Sequence, residues 1–475
     1  MTAEADKVED GQAAQTPHPF PSAKSADPAV LFQAALMRHR AGNLDDAKRN
    51  YLLTLKLDPG HSGAWVNLGV VHRAQGRPEA AVACLKRGIA LAPDDGGAWS
   101  NLGNALRAAG RLEEALHAQA RAVSLAPEEA QLHYNHGIVM KDMGELTAAR
   151  HAYRRAELLG YAKPDLAWDK ALLDLLAGDL DAGFAAYASR FALPENPPRF
   201  TQLPEWQGQA LGPGACLLIH AEQGFGDSLQ FLRYVRGAAE RAAGPIVLEL
   251  QQPLHRLALP LLEGLDIRLI ARDEPTGAVS HQIALMSLPA LLGSQHFLGL
   301  APYLTPPAAP RLRRHPGALH VGITWAGRPT HKNDRNRSLG LAGFLPLLEL
   351  PGMELFSLQV GPRQSDIATL GLEALVTDLG ARVKDFADTA ALMQDLDLII
   401  TVDTSVAHLA GALGRPVWVL LPFAPDWRWQ LSRQDSPWYP TMTLYRQTSP
   451  GDWPELMDRV GAGLRALLSA APAPP

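Results

Sequence analysis

"WVNLGVVHRAQGRPEAAVACLKRGIALAPDD" (residues 65–95) and "WSNLGNALRAAGRLEEALHAQARAVSLAPEE" (residues 99–129) are two copies of one pattern, 34 residues apart. The same spacing links Gly42, Gly76, Gly110 and Gly144; Pro59, Pro93 and Pro127; and Ala47, Ala81, Ala115 and Ala149. Each copy reads as a pair of helices. Small residues fall where the two helices must touch, and Gly76 and Gly110 fall at the turn between them. Pro93 and Pro127 end the second helix, because proline has no N–H to continue it. A pair of this size cannot bury its apolar face alone, so it stacks on the next copy. Four copies span roughly 28–161. A degenerate fifth follows, in which Trp168, Gly178 and Tyr187 continue the spacing of Tyr134, Gly144 and Tyr153.

The period, the W-x2-L-G start and the closing proline resemble the tetratricopeptide repeat (TPR). The resemblance implies an α-solenoid with a concave groove and no chemistry of its own. Asn67, Asn101 and Asn135 recur at one repeat position on the first helix of each pair. An asparagine amide both donates and accepts, so a row of them can hold an extended peptide by its backbone. This row is similar to the asparagine ladder of TPR-containing O-GlcNAc transferases. The competing reading is that asparagine is common at this position whatever the array binds.

The chain has 475 residues, 47% of them hydrophobic and 20% charged, with 44 basic against 49 acidic and a net charge of −5. That length allows about three domains. The charge balance gives no support for a nucleic-acid or membrane-surface partner. Two cysteines, Cys84 and Cys216, are too few for a disulfide framework or a cysteine metal site. No apolar run reaches the ~18–20 residues of a membrane helix, and residues 1–27 lack the start of a secretory signal. The expectation is a cytoplasmic protein with disordered tails at 1–27 and 469–475.

After a Pro/Gly-rich stretch, "LPENPPRFTQLPEWQGQALGPG" (193–214), short apolar runs alternate with helical stretches, which is the signature of parallel α/β units. Strands are expected at 215–220, 246–250, 267–270 and 281–286, and again at 319–325, 353–358, 397–402 and 416–421. The expected division is a repeat array at 28–195, one Rossmann-like domain at 196–310 and a second at 311–468. In such sheets ligands bind beyond the carboxyl ends of the strands.

Each of those ends carries unusual residues. "AEQGFGDS" (221–228) places Gly224 and Gly226 before a helix, with Asp227 at or near its start. The third glycine of a dinucleotide fingerprint is missing. Asp227 reads either as a helix cap or as a working carboxylate beside a close backbone approach. "WAGRPTHKNDRNRS" (325–338) packs Arg328, His331, Lys332, Arg335 and Arg337 into a loop suited to phosphate oxygens. In "TVDTSVAHLAGALGRPVWVLL" (401–421), Asp403, Thr404 and Ser405 open a small-residue helix whose bare amides can hold phosphate. His408 on that helix either contacts a phosphate or is a buried structural histidine. Trp427, Trp429, Trp438 and Tyr439 read chiefly as packing, and "DLD" (395–397) reads as a helix-to-strand junction, with no metal site expected.

"GFGDSLQF" together with "VDTSVAHLAGALGRPVWVLL" resembles glycosyltransferase family 9, whose best-known members are the lipopolysaccharide heptosyltransferases. The whole chain looks like the bacterial TPR–glycosyltransferases, some of which are implicated in protein modification, including flagellin glycosylation. The resemblance implies a metal-independent, inverting enzyme of GT-B architecture, with two Rossmann-like domains and the nucleotide-sugar held mainly on the second. The nucleotide-sugar is a co-substrate and no cofactor is implied. By the same resemblance the proposed general base is Asp227. The donor diphosphate falls to Asp403, Thr404, Ser405 and His408, with Arg337 in the place of a phosphate-contacting lysine and Arg328 and Lys332 beside it. Ser405 stands where heptosyltransferases usually carry glycine. The expected acceptor is a hydroxyl on a protein recruited by the repeat groove. The alternatives are a lipopolysaccharide or other glycan acceptor, or a non-catalytic scaffold whose α/β half senses a nucleotide.

Overall fold

The computed structural model describes residues 27–470 except 223, 309–311, 313–314, 316 and 332. It divides into two compact units, the first ending at Ala109 and the second running from Gly110.

In the first unit the helices are α1 (Pro28–Arg40), α2 (Leu44–Leu57), α3 (Ser62–Ala74), α4 (Pro78–Leu91) and α5 (Gly96–Ala108). The turns take the left-handed backbone that glycine tolerates, with φ of +79° at Gly42 and +71° at Gly76. Gly69 lets α3 and α4 touch: a Cβ there would lie 2.6 Å from Leu85 Cγ. The repeated tryptophans do a repeated job. Trp65 Nε1 donates to Pro59 O and Trp99 Nε1 to Pro93 O, at 3.0 and 2.9 Å, so each indole clamps the loop that enters its repeat.

The second unit continues with α6 (Leu112–Leu125), α7 (Ala130–Asp142), α8 (Leu146–Leu158), α9 (Pro164–Ala177) and α10 (Leu180–Ala186), so the degenerate fifth repeat is a helical pair. Two sheets follow. The first has β1 (Leu217–His220), β2 (Ile246–Leu250), β3 (Ile267–Ala271) and β4 (His281–Ala284), in the order β3-β2-β1-β4. The second has β5 (Leu319–Thr324), β6 (Met353–Ser357), β7 (Val376–Asp378), β8 (Leu398–Val402), β9 (Val417–Leu421) and β10 (Met442–Arg446), in the order β10-β9-β8-β5-β6-β7. Every pairing within them is parallel. The architecture is thus a helical solenoid followed by two parallel α/β sheets, consistent with a GT-B-like fold.

All eight expected strands form. Short edge strands β7 and β10 were not expected: β7 has only three residues, and β10 follows the aromatic residues read chiefly as packing. The Pro/Gly-rich stretch before β1 is built into the first sheet's core. Trp206 is fully buried and its backbone N–H donates to Gln282 O on β4 at 2.9 Å. One hydrophobic core runs from Leu175, Leu180, Phe184 and Tyr187 at the end of the array, through Phe231 and Leu248, to Trp427 and Trp438. Among the described residues no helix is long and apolar enough to cross a membrane.

Candidate active site at the facing switch points

In each sheet the chain reverses winding direction once, between β1 and β4 in the first and between β5 and β8 in the second. Loops after neighbouring strands diverge at such a point and leave a crevice. The glycine loop follows β1, the basic loop follows β5, and Asp403–Ser405 follow β8, so these singled-out stretches stand at switch points.

Asp227 is the third residue of the Phe225–Phe231 helix, and Gly224 is its cap. The carboxylate therefore reaches back rather than capping forward: Oδ2 accepts from Gly224 N at 2.8 Å. Oδ1 accepts from Arg428 Nη2 at 2.5 Å. Arg428 is buried and fixed on all sides. Nη1 donates to Asp426 Oδ1 at 2.8 Å and Nε to Gln230 Oε1 at 2.6 Å, and the guanidinium lies 4.4 Å from the centre of the Trp427 ring. Burial opposes its charge, but Asp426 and Asp227 more than offset that, so it is held above its ordinary pKa.

The close approach that Gly226 permits is to protein. A Cβ there would lie 2.9 Å from His408 Cδ2 and 3.6 Å from Ser405 Cα, so Gly226 lets the Phe225–Phe231 helix meet the Ser405–Ala412 helix. A Cβ at Gly224 would make only ordinary contact, 3.4 Å from Asp227 Oδ2. His408 cannot swing away. Its Nδ1 lies 3.0 Å from Tyr439 Oη and its ring stacks on Trp429 at 5.3 Å. Of the two readings of His408, the geometry fits the buried, bonded one. Burial, followed by Arg428, Arg233 and Arg337, lowers its pKa well below the ordinary value, which makes it neutral at neutral pH. Gly226→Val should therefore overpack a rigid contact and cost about 3 kcal/mol. Urea unfolding would measure it, and wild-type stability would refute this account of the junction.

Across the crevice, Thr404 caps the Ser405–Ala412 helix. Its hydroxyl accepts from Val406 N at 3.2 Å and lies 3.2 Å from Thr401 Oγ1. Ser405 is half-buried at the helix start. Asp403, also half-buried, is pushed up to about 6 by burial and by Asp426, against the pull of Arg337, Arg428 and the Trp429 indole. Arg337 is loosely held. Its side chain is 15% exposed, its Nε has no hydrogen-bond partner among the described residues, and its ion pair with Asp334 is a loose 3.7 Å. Gly327 makes room for it: a Cβ there would lie 2.6 Å from Arg337 Nη2. In the same loop, burial and then Arg337 lower the pKa of His331, against the opposing pull of Asp334, Asp426 and Asp227.

The remaining expected site residues are less connected. Arg328 is exposed. Lys332 lies outside the described residues. Asn67 and Asn101 are half-buried in the first unit, where Asn67 Nδ2 donates to Gly63 O of its own helix at 2.8 Å. Asn135, in the second unit, accepts from Gln131 Nε2 at 3.1 Å. The DLD carboxylates serve the chain: Asp395 accepts from Leu312 N at 2.7 Å and Asp397 from His320 N at 2.9 Å. No group of three or more His, Cys, Asp or Glu side chains among the described residues is placed to hold a metal ion. Sequence reasoning missed Arg428, Asp426, Gln230 and the pair Arg190–Glu222. The aromatic spelling of "DWRWQ" (426–430) drew notice to its tryptophans and not to the arginine between them.

Comparison with known proteins agrees with this architecture. Residues 366–421 match glycosyltransferase family 9 (heptosyltransferase), a segment that holds Asp403–Ser405 and His408 but neither Asp227 nor Arg337. Residues 34–95 and 72–130 match the tetratricopeptide repeat. Protein FlbA of Caulobacter vibrioides is 29% identical over 323 residues, 61% of this chain and 53% of that protein, so the match spans about half the length of that curated relative. Among solved structures, TTC0263, a thermophilic TPR protein of Thermus thermophilus, is 25% identical, covering 35% of this chain and 90% of its own at a TM-score of 0.32. MamA from Desulfovibrio magneticus RS-1 is 28% identical, covering 28% of this chain and 75% of its own at a TM-score of 0.27. The chain is a TPR-containing, glycosyltransferase-like protein.

Proposed function

We infer that the protein is a metal-independent, inverting glycosyltransferase that moves a sugar from a nucleotide-sugar to an acceptor hydroxyl on a protein recruited by the repeats. The observation that carries this reading is the Asp227 side chain at one switch point, with Arg337, whose Nε has no hydrogen-bond partner among the described residues, and the Ser405 helix start at the other. Asp227 takes the acceptor proton as the hydroxyl oxygen attacks the anomeric carbon. Arg337 and the amides behind Thr404 receive the departing diphosphate, with Arg328 and Lys332 as further cations of the same loop. Such preorganised donors are worth most in a site from which water is excluded. Asp403 then has a second role. A diphosphate beside it favours its neutral form, which donates a hydrogen bond instead of repelling.

The repeats supply the protein-binding half, and the asparagine row is the part of it suited to an extended peptide; flagellin is one such acceptor class. One observation favours the scaffold reading: both oxygens of Asp227 are already bonded. Asp227→Asn separates the two readings, because only an enzyme loses turnover.

A further inference from the structure

We propose that the last repeat is a working part of the candidate site, with Arg190 as the positioning residue for the loop that carries Asp227. This rests on the base role given to Asp227 above.

Arg190 lies in the short 3-10 helix Tyr187–Ala192 that follows α10, and it is fully buried. Its Nε and Nη2 donate to Glu222 Oε1 and Oε2 at 3.0 and 2.8 Å. Nη2 also donates to Ser287 Oγ at 2.8 Å, and Nη1 donates to Tyr187 O at 2.9 Å. Glu222 is itself a residue of the loop between β1 and the Phe225–Phe231 helix, five positions before Asp227. A bidentate arginine–carboxylate pair fixes orientation as well as distance. Arg190 is fully buried and the Glu222 side chain is 10% exposed, so breaking the pair would leave a charge with little water to solvate it.

The partner of Asp227 is anchored on the same few residues. Trp427, next to Arg428, meets Phe184 and Tyr187 edge-on, with ring centres 5.6 and 6.2 Å apart. So the two loops that meet in the Asp227–Arg428 pair are both seated on residues 184–190. The end of the array sets where the carboxylate stands relative to the second sheet.

The test is amide hydrogen exchange on the full chain carrying Glu222→Gln, which keeps the shape and removes the charge. The amides of Ala221, Gly224 and Ser228 should exchange at least tenfold faster, with β5 and β6 unchanged. Arg190→Gln should do the same, and the double variant should go no further than the stronger single one, because the pair acts as a unit. With a nucleotide-sugar that turns over, Glu222→Gln should lower kcat and leave the donor KM unchanged. Unchanged exchange in the loop, equal acceleration in β5 and β6, or faster loop exchange with an unaltered kcat would each overturn the proposal. The base role fails separately: an Asp227→Asn protein with full turnover would refute it without touching the exchange result.

Discussion

Asp227→Asn is expected to lower turnover by about 10²–10⁴-fold, the usual contribution of a positioned general base. The substitution keeps size and hydrogen-bonding atoms but removes the basic lone pairs. An amide can still accept from either Gly224 N or Arg428, but its NH2 then faces the other donor. That mismatch should cost about 1–3 kcal/mol of stability, a modest loss that circular dichroism can separate from loss of chemistry. Turnover is read as nucleotide released from a nucleotide-sugar, with water or a recruited protein as the acceptor. Full turnover in a folded variant would remove the catalytic reading of the glycine loop. It would leave Asp227 as the third residue of a short helix that satisfies a cap and an arginine.

The second large effect concerns where the chain can be cut. Sequence texture places a boundary near 195, yet the core does not stop there. Leu175, Leu176, Leu180, Phe184 and Tyr187 are buried in the same cluster as Phe231, Trp427 and Trp438. Burying one such side chain contributes about 1.5–3 kcal/mol. Five together contribute on the order of 10 kcal/mol, as much as the whole stability of a typical domain, about 5–15 kcal/mol. A fragment of residues 196–475 also leaves Glu222 without Arg190. It should fail to give a cooperative thermal transition, whereas residues 110–475, the second compact unit, should give one. A wild-type-like transition in the shorter fragment would contradict this.

Much of the fold was legible because repeats and parallel strands leave periodic marks. Glycine at a left-handed turn every 34 residues, and apolar runs of four to six residues between helices, state their own structure. What escaped was whatever depends on partners distant in sequence. β10 pairs with β9, but its burial alternates only from Met442 to Leu444, too short a run to stand out after the aromatic residues before it. Arg428 and Asp227 are 201 positions apart, and no local pattern announces an ion pair between the sheets. Arg190 and Glu222 hide in the same way, one in a turn after a degenerate repeat and the other beside glycines that draw the eye. Gly226 was legible as a close approach, but not whose: the neighbour is His408, which the sequence placed on another strand's helix. The basic loop was read as cationic, while only the structure shows Arg337 half-buried with an Nε that has no hydrogen-bond partner among the described residues.

The most direct test of a nucleotide-sugar site is thermal stability with UDP, ADP, GDP and CMP, each at about 1 mM, on the wild type and on Arg337→Gln. A nucleotide at 100 times its Kd adds about 2.7 kcal/mol to stability. The account predicts an upward shift with one of these nucleotides in the wild type, and a shift largely lost in Arg337→Gln. No shift with any nucleotide, or the same shift in both proteins, would contradict it.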